Sequence, residues 1–183
     1  MNIGRSASFV SPLPRVSLVL GGARSGKSVH AEALIEAAGG GVYLATAEAL
    51  DAEMQDRIRR HRARRGARWT TREEPLAIAA ALADRTLAAC PVLVDCLTFW
   101  LSNLIAADRD IERETDALVD ALAQRRAPVV LVANEVGLGI VPENALARRF
   151  RDAAGRLNQG IAARADRVVF MAAGLPLVLK DIS

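Results

Sequence analysis

The chain has 183 residues, of which 51% are hydrophobic and 25% charged, and its formal net charge is +3. That is enough for one domain with a full core, in the proportions of an ordinary globular protein, and no apolar run approaches bilayer-spanning length. The isoelectric point near 9.4 comes almost wholly from arginine, with Lys27 and Lys180 the only lysines, which looks more like coding bias than a DNA-binding face.

Residues 1–15 carry Ser, Pro and Arg without a sustained apolar stretch. They read as a flexible extension rather than a secretory signal, with the domain itself over 16–183. Val16–Leu20 is an apolar β-type run, and it meets Gly21-Gly-Ala-Arg-Ser-Gly-Lys-Ser28. Val29–Ala38 then reads as a helix ended by Gly39-Gly-Gly41, and Val42–Thr46 as a short strand. From about Asp51 a helix is expected to run into an arginine cluster, with Met54, Ile58 and His61 on one face. Gly66 ends it, and Arg68–Thr71 is a brief extended piece. Pro75–Ala88 reads as an alanine-rich helix with proline at its start.

Pro91–Asp95 is a buried strand ending in an acid, followed by helices over Leu97–Ala107 and Ile111–Arg125. Pro128–Ala133 is a strand leading to Asn134-Glu135, a Gly/Pro-rich loop over Val136–Pro142, and a long helix over about Glu143–Arg164. Arg167–Ala173 is expected to close the sheet. Strands alternating with helices predict a mostly parallel sheet with helices on both faces. Ligands of such sheets bind at the carboxyl ends of the strands. That rule brings the glycine loop, Thr46, Asp95 and Glu135 together. Cys90 and Cys96 flank a buried strand without metal-ligand spacing and read as reduced core thiols of a cytoplasmic protein.

Gly21-x-x-x-x-Gly26-Lys27-Ser28 between a strand and a helix is the Walker A pattern in its structural context. Glycines let successive N–H groups turn into one concavity that holds phosphate, beside a helix N-terminus. Lys27 is placed for the β- and γ-phosphates and Ser28 for Mg²⁺. Asp95, at the end of a downstream strand, is either the partner carboxylate for that Mg²⁺ or a cap of the next helix. His61 is either a buried structural histidine or a nucleophile. Arg57, Arg59, Arg60, Arg62, Arg64, Arg65 and Arg68 surround it, company that suits a polyphosphate and not a core histidine.

Beyond the loop, Ala45-Thr46-Ala47, Glu53-Met54-x-x-Arg57-Ile58-x-x-His61-x-x-x-Arg65-x-x-x-Trp69 and Val94-Asp95-Cys96-Leu97-Thr98 form an ordered set of motifs. Asn134-Glu135-Val136-Gly137-x-Gly139-Ile140-Val141-Pro142, Phe150-Arg151-Asp152 and Asn158-Gln159 complete it. With these motifs the chain, over roughly Val16–Lys180, resembles the bifunctional adenosylcobinamide kinase/adenosylcobinamide-phosphate guanylyltransferase family of cobalamin biosynthesis.

The resemblance implies a single P-loop NTPase domain of RecA-like type and two reactions. ATP or GTP phosphorylates the aminopropanol hydroxyl of adenosylcobinamide; GTP then gives GMP to a histidine, at the position of His61, and from there to adenosylcobinamide phosphate. It maps nucleotide contacts onto Gly21, Gly22, Ala23, Arg24, Ser25, Gly26, Lys27 and Ser28, then Ala45, Thr46, Ala47, Arg62, Ala63, Arg64, Arg65, Glu73 and Asp95. Ser28 and Asp95 are the expected Mg²⁺ ligands, although some relatives carry Glu at the Asp95 position. A homotrimer is implied, with no nucleic acid and no membrane insertion. Two other readings stand beside it. A plain small-molecule P-loop kinase leaves His61 without a task. A RecA-like ATPase on nucleic acid would want aromatic platforms, and aromatic residues are only 4%.

Overall fold

The computed structural model describes residues 13–47 and 66–182. In chain order the elements are β1 (Val16–Gly21), α1 (Lys27–Ala37), β2 (Gly41–Ala45), β3 (Trp69–Glu73), α2 (Ile78–Ala83) and a 3₁₀ turn (Arg85–Leu87). There follow β4 (Val92–Asp95), α3 (Leu97–Ala106), α4 (Ile111–Gln124), β5 (Val129–Asn134), α5 (Ala145–Arg164), β6 (Arg167–Ala172) and β7 (Leu175–Asp181). The seven strands form one sheet in the order β3-β2-β4-β5-β1-β6-β7. All pairings are parallel except β6 with β7.

The central strands are apolar on both faces, as a doubly covered parallel sheet requires. On β5, Val129, Leu131 and Ala133 face one cluster, together with Val16, Leu18, Leu20, Trp100, Leu118 and Leu157. Val130 and Val132 face the other, with Val19, Ala31, Ile35 and Leu93. Helix α1 therefore covers one face, and α2–α5 cover the opposite one. Helix α4 starts on Asp110, whose carboxylate accepts the Arg113 N–H (3.1 Å). Helix α5 starts on Asn144, whose amide oxygen accepts the N–H groups of Leu146 (2.8 Å) and Ala147 (3.2 Å). Both are side-chain caps for otherwise orphaned donors.

Three expectations need correction. The helix expected over Pro75–Ala88 is the short α2 followed by a 3₁₀ turn. The Glu74 carboxylate takes the Ala77 N–H (2.8 Å) and delays the helix. Asp84, with extended backbone, takes the Thr86 N–H (2.9 Å) and ends it. The piece expected over Arg68–Thr71 is a full edge strand, paired in parallel from Gly41↔Trp69 to Ala45↔Glu73. Nor does Arg167–Ala173 close the sheet. Ala173 (φ 51°) and Gly174 (φ 79°) make a two-residue turn, with both dihedrals positive as tight hairpins prefer. The chain returns as the antiparallel edge β7, where Pro176 is tolerated because an edge strand has an unpaired side.

The extension expected over residues 1–15 meets the packed body by Leu13, which lies against the α1-side cluster. Pro14 is buried, and the Arg15 carbonyl accepts the Val129 N–H (2.8 Å). The helix expected from Asp51, with His61 and the arginines up to Arg65, lies outside the described residues.

Candidate active site

The glycine loop joins β1 to α1 at the carboxyl edge of the sheet. Arg24 (φ 57°) and Gly26 (φ 95°) are left-handed, so the backbone curls around a concavity. Among the described residues, the N–H groups of Ala23, Arg24, Gly26, Ser28 and Val29 find no acceptor; within the loop only the Ser25 N–H bonds back, to the Gly22 carbonyl (3.3 Å). Helix α1 begins at Gly26 with no side-chain cap and no acid in its first turn, so its positive end is left for an anion. Lys27 is buried, and its ammonium donates to the Gly22 carbonyl (2.9 Å), which holds the charge at the loop.

The loop is tightly seated. A Cβ at Gly21 would lie 2.7 Å from the Met171 carbonyl oxygen of β6, and one at Gly26 would lie 3.2 Å from Gly174 Cα. The Gly174 N–H donates to the Ser25 carbonyl (3.0 Å), so the β6–β7 turn braces the loop from below.

Asp95 ends β4, in register with Ala45 of β2 and Val132 of β5. Its side chain points to the α1 face, where the Tyr43 hydroxyl donates to Oδ2 (2.9 Å). Thr46, just past β2, is fully buried. Its hydroxyl donates to the Cys96 carbonyl (2.7 Å) and accepts the Cys96 N–H (2.8 Å). The Asn103 amide donates to the Thr46 carbonyl (2.8 Å) and the Pro75 carbonyl (3.0 Å). The Thr98 hydroxyl accepts the Asn134 N–H (2.7 Å), and the Glu135 N–H donates to the Gly21 carbonyl (3.1 Å). These bonds tie the ends of β1, β2, β4 and β5 into one floor. Burial, then the Asp95 charge, pushes the Cys96 thiol up to about 11, so it stays protonated and unreactive. Burial, then the charge of Arg167, lowers the pKa of His30.

The expected site residues thus fall into groups along one edge. Gly21–Ser28 and Asp95 are separated by the single strand β5, whereas Ala45–Ala47 lie at and just past the end of β2 and Glu73 on β3, farther out. At about 4.8 Å per strand, they stand roughly 14 and 19 Å from the loop. Arg62, Ala63, Arg64, Arg65 and His61 lie outside the described residues. Tyr43, Thr98, Asn103 and Gly174 had no role in the sequence reading. Thr98 was visible in a motif, but nothing in the chain around it tells which backbone group its hydroxyl meets.

Mg²⁺ can be tested against the residues present. Asp95 Oδ1 and the Ser28 hydroxyl make no hydrogen bond among the described residues, and these contain no cluster of three or more His, Cys, Asp or Glu side chains. That suits a cation held by one hydroxyl, one carboxylate, phosphate oxygens and water rather than by a protein cage.

An uncapped helix behind a loop of free N–H groups, a buried lysine and a strand-end carboxylate define a P-loop nucleotide-binding α/β protein. Solved structures agree on the fold. The flagellar accessory protein FlaH of Methanocaldococcus jannaschii matches with a TM-score of 0.53 at 13% identity, covering 93% of this chain and 80% of that one. A Pyrococcus horikoshii protein, PH0250, matches with a TM-score of 0.51 at 8% identity, covering 93% and 88%.

The family described as cobinamide kinase / cobinamide phosphate guanyltransferase matches residues 17–179. The bifunctional adenosylcobalamin biosynthesis protein CobP of Pseudomonas aeruginosa is 52% identical over 166 residues, covering 89% of this chain and 96% of the relative. CobU of Salmonella typhimurium is 44% identical over 182 residues, covering 89% and 98%. CobU of Escherichia coli is 41% identical over 178 residues, with the same coverage. The chain belongs to this family of bifunctional cobinamide kinases and cobinamide-phosphate guanylyltransferases.

Proposed function

We propose that the protein phosphorylates adenosylcobinamide with ATP or GTP and then converts the product to adenosylcobinamide-GDP through a guanylyl-histidine at His61. The observation that carries the kinase half is the cradle of unbonded N–H groups around Lys27, at the same sheet edge as Asp95 and one strand away from it. In that half the substrate hydroxyl oxygen attacks the γ-phosphorus, its proton passes to water, and the β–γ bridging oxygen leaves with the nucleoside diphosphate. Lys27 and the loop N–H groups stabilise the charge that builds on the transferred group. Mg²⁺, held by Ser28 and Asp95, would neutralise phosphate charge when bound. Tyr43 orients the Asp95 carboxylate.

In the second half a ring nitrogen of His61 attacks the α-phosphorus of GTP and pyrophosphate leaves. A phosphate oxygen of adenosylcobinamide phosphate then displaces the imidazole. The P–N bond is labile, so one difficult transfer becomes two easier ones. The family motif around His61 and its arginines supports this step.

A cytoplasmic homotrimer is part of the same reading. Its assembly is supported by β7, an edge strand whose Leu175, Leu177 and Leu179 are exposed, a surface that calls for cover. Among the described residues no helix is long and apolar enough to cross a membrane.

The test is incubation with α-³²P-GTP followed by denaturation. Wild type should carry acid-labile, alkali-stable label, and His61→Ala should carry none while still forming adenosylcobinamide phosphate. Lys27→Ala should lose the phosphorylation. Label persisting in His61→Ala, or phosphorylation at the wild-type rate in Lys27→Ala, would refute the respective half.

A further inference from the structure

Of the motifs unused by the nucleotide chemistry, two stand out: the glycine- and proline-rich run after β5, and Phe150-Arg151 on α5. The fold brings them to one place. Ile105 of α3, Val136 and Pro142 of the loop, and Leu146 and Phe150 of α5 line a groove of about 600 Å³. The lining is almost entirely apolar. Its polar side chains are Ser102, Asn144 and Arg151; the Asn144 side-chain oxygen caps α5, and Arg151 Nε lies 3.5 Å from Asp152. A nucleotide base or a phosphate would find few partners here. Leu146 is 58% exposed, and on the adjoining loop Leu138 and Ile140 are 83% and 97% exposed, in a region with two glycines and no regular structure.

The groove grows out of the nucleotide site. Helix α3 starts at Leu97, one residue past Cys96 and Asp95, and Ser102 on its groove side is about 8 Å farther along at 1.5 Å per residue. The loop starts at Glu135, bonded to Gly21 of the phosphate loop (3.1 Å). Both walls therefore begin at the residues that flank the phosphates.

We propose that this groove seats the corrin ring of the substrate, so that the arm ending in the reactive hydroxyl reaches back along α3 to its start beside Asp95, on the side where the nucleotide's terminal phosphate would lie. This rests on the proposed function and adds to it the place of the corrinoid. Of the proposed substrates the corrinoid has the broadest apolar area, a macrocycle that carries methyl groups between its amide arms. Its hydroxyl stands at the end of a propionamide-aminopropanol arm of seven bonds, roughly 8 Å when extended, which matches the separation along α3. The groove is too small for the whole corrinoid and would take one side of the ring. The exposed Leu138 and Ile140 lie on the loop between the lining residues Val136 and Pro142.

The test uses equilibrium dialysis of the full-length protein with dicyanocobinamide, read by corrin absorbance. Leu146→Asp makes the groove polar, and an acid in the first turn favours α5. Ser102→Trp fills it from an exposed position. Each should weaken corrinoid binding by about tenfold or more, with GTP affinity and molar mass as in wild type. A wild-type protein that binds GTP but no cobinamide would overturn the proposed function itself. Wild-type binding with both variants equally tight would overturn the groove alone. Weaker binding accompanied by a changed molar mass in both variants would assign the groove to contacts between copies, and also overturns the proposal.

Discussion

Thr46→Val isolates the contribution of a single buried hydroxyl to the floor of the site. Valine keeps the shape of threonine, and Thr46 is fully buried, so packing is nearly conserved. What disappears is the pair of bonds to Cys96, its N–H at 2.8 Å and its carbonyl at 2.7 Å. The carbonyl retains the Trp100 N–H (3.1 Å). The Cys96 N–H is left buried without a partner, and that orphaned donor carries most of a cost of about 2–3 kcal/mol. For a chain of this length the melting temperature should fall by roughly 5–10 °C. Thr46→Ser keeps the hydroxyl and loses a methyl group, which costs about 1 kcal/mol. Calorimetry of the three proteins decides the matter. If Thr46→Val is no less stable than Thr46→Ser, the hydroxyl does not clamp β2 to β4. GTP affinity in Thr46→Ser should stay at the wild-type level, because the hydroxyl is turned to Cys96.

Asp84 gives a pH dependence. The Thr86 N–H, the Thr86 hydroxyl and the Arg72 guanidinium hold its pKa at about 2, below the ordinary 3.8. A depressed carboxylate stabilises the fold above its unfolded pKa and loses that contribution as pH falls through the folded one. Asp84→Asn should therefore flatten the melting-temperature profile between about pH 4 and pH 2, and parallel profiles there would refute the assignment. Arg125 is the second case: its guanidinium donates to the carbonyls of Leu82 (2.8 Å), Leu87 (2.9 Å) and Cys90 (2.7 Å). Arg125→Met should cost about 3 kcal/mol by stranding buried acceptors, read by urea titration; a loss under 1 kcal/mol would mean that water replaces the guanidinium.

What the chain discloses by itself follows from how local each signal is. The phosphate loop was legible because strand, glycines, lysine and helix lie within a dozen residues and each has its own backbone reason. Alternation of strand and helix gave the parallel sheet. Asp95 could be placed at a strand end, yet its hydrogen bond to Tyr43 spans 52 positions and follows only from β2 lying beside β4. Strand order is a set of non-local pairings that local pattern does not carry, so the distance of Ala45–Ala47 and Glu73 from the loop was invisible. β7 was missed for a different reason. Its turn is Ala173-Gly174 rather than an Asn-Gly or Asp-Gly pair, and Pro176 argues against a strand unless the strand is known to be at an edge. The helix ends misjudged at Pro75 and Ala88 were lost to Glu74 and Asp84, whose carboxylates compete for nearby backbone N–H groups.

That missed hairpin also braces the phosphate loop. A loop that presents several unsatisfied N–H groups to one point holds parallel dipoles together, and left alone it would relax outward. Here the Ser25 carbonyl is anchored by the Gly174 N–H (3.0 Å). Gly21 passes so close to the Met171 carbonyl that a Cβ would sit 2.7 Å from it, and Gly26 is left-handed (φ 95°) where it crosses Gly174. Three backbones, the end of β1, the loop and the β6–β7 turn, are thus pressed together at positions where only glycine fits. The donors are therefore already aimed when the phosphates arrive, and little reorganisation is left for the binding or transfer step. The same contact links the phosphate loop to β7, the exposed apolar edge of the sheet.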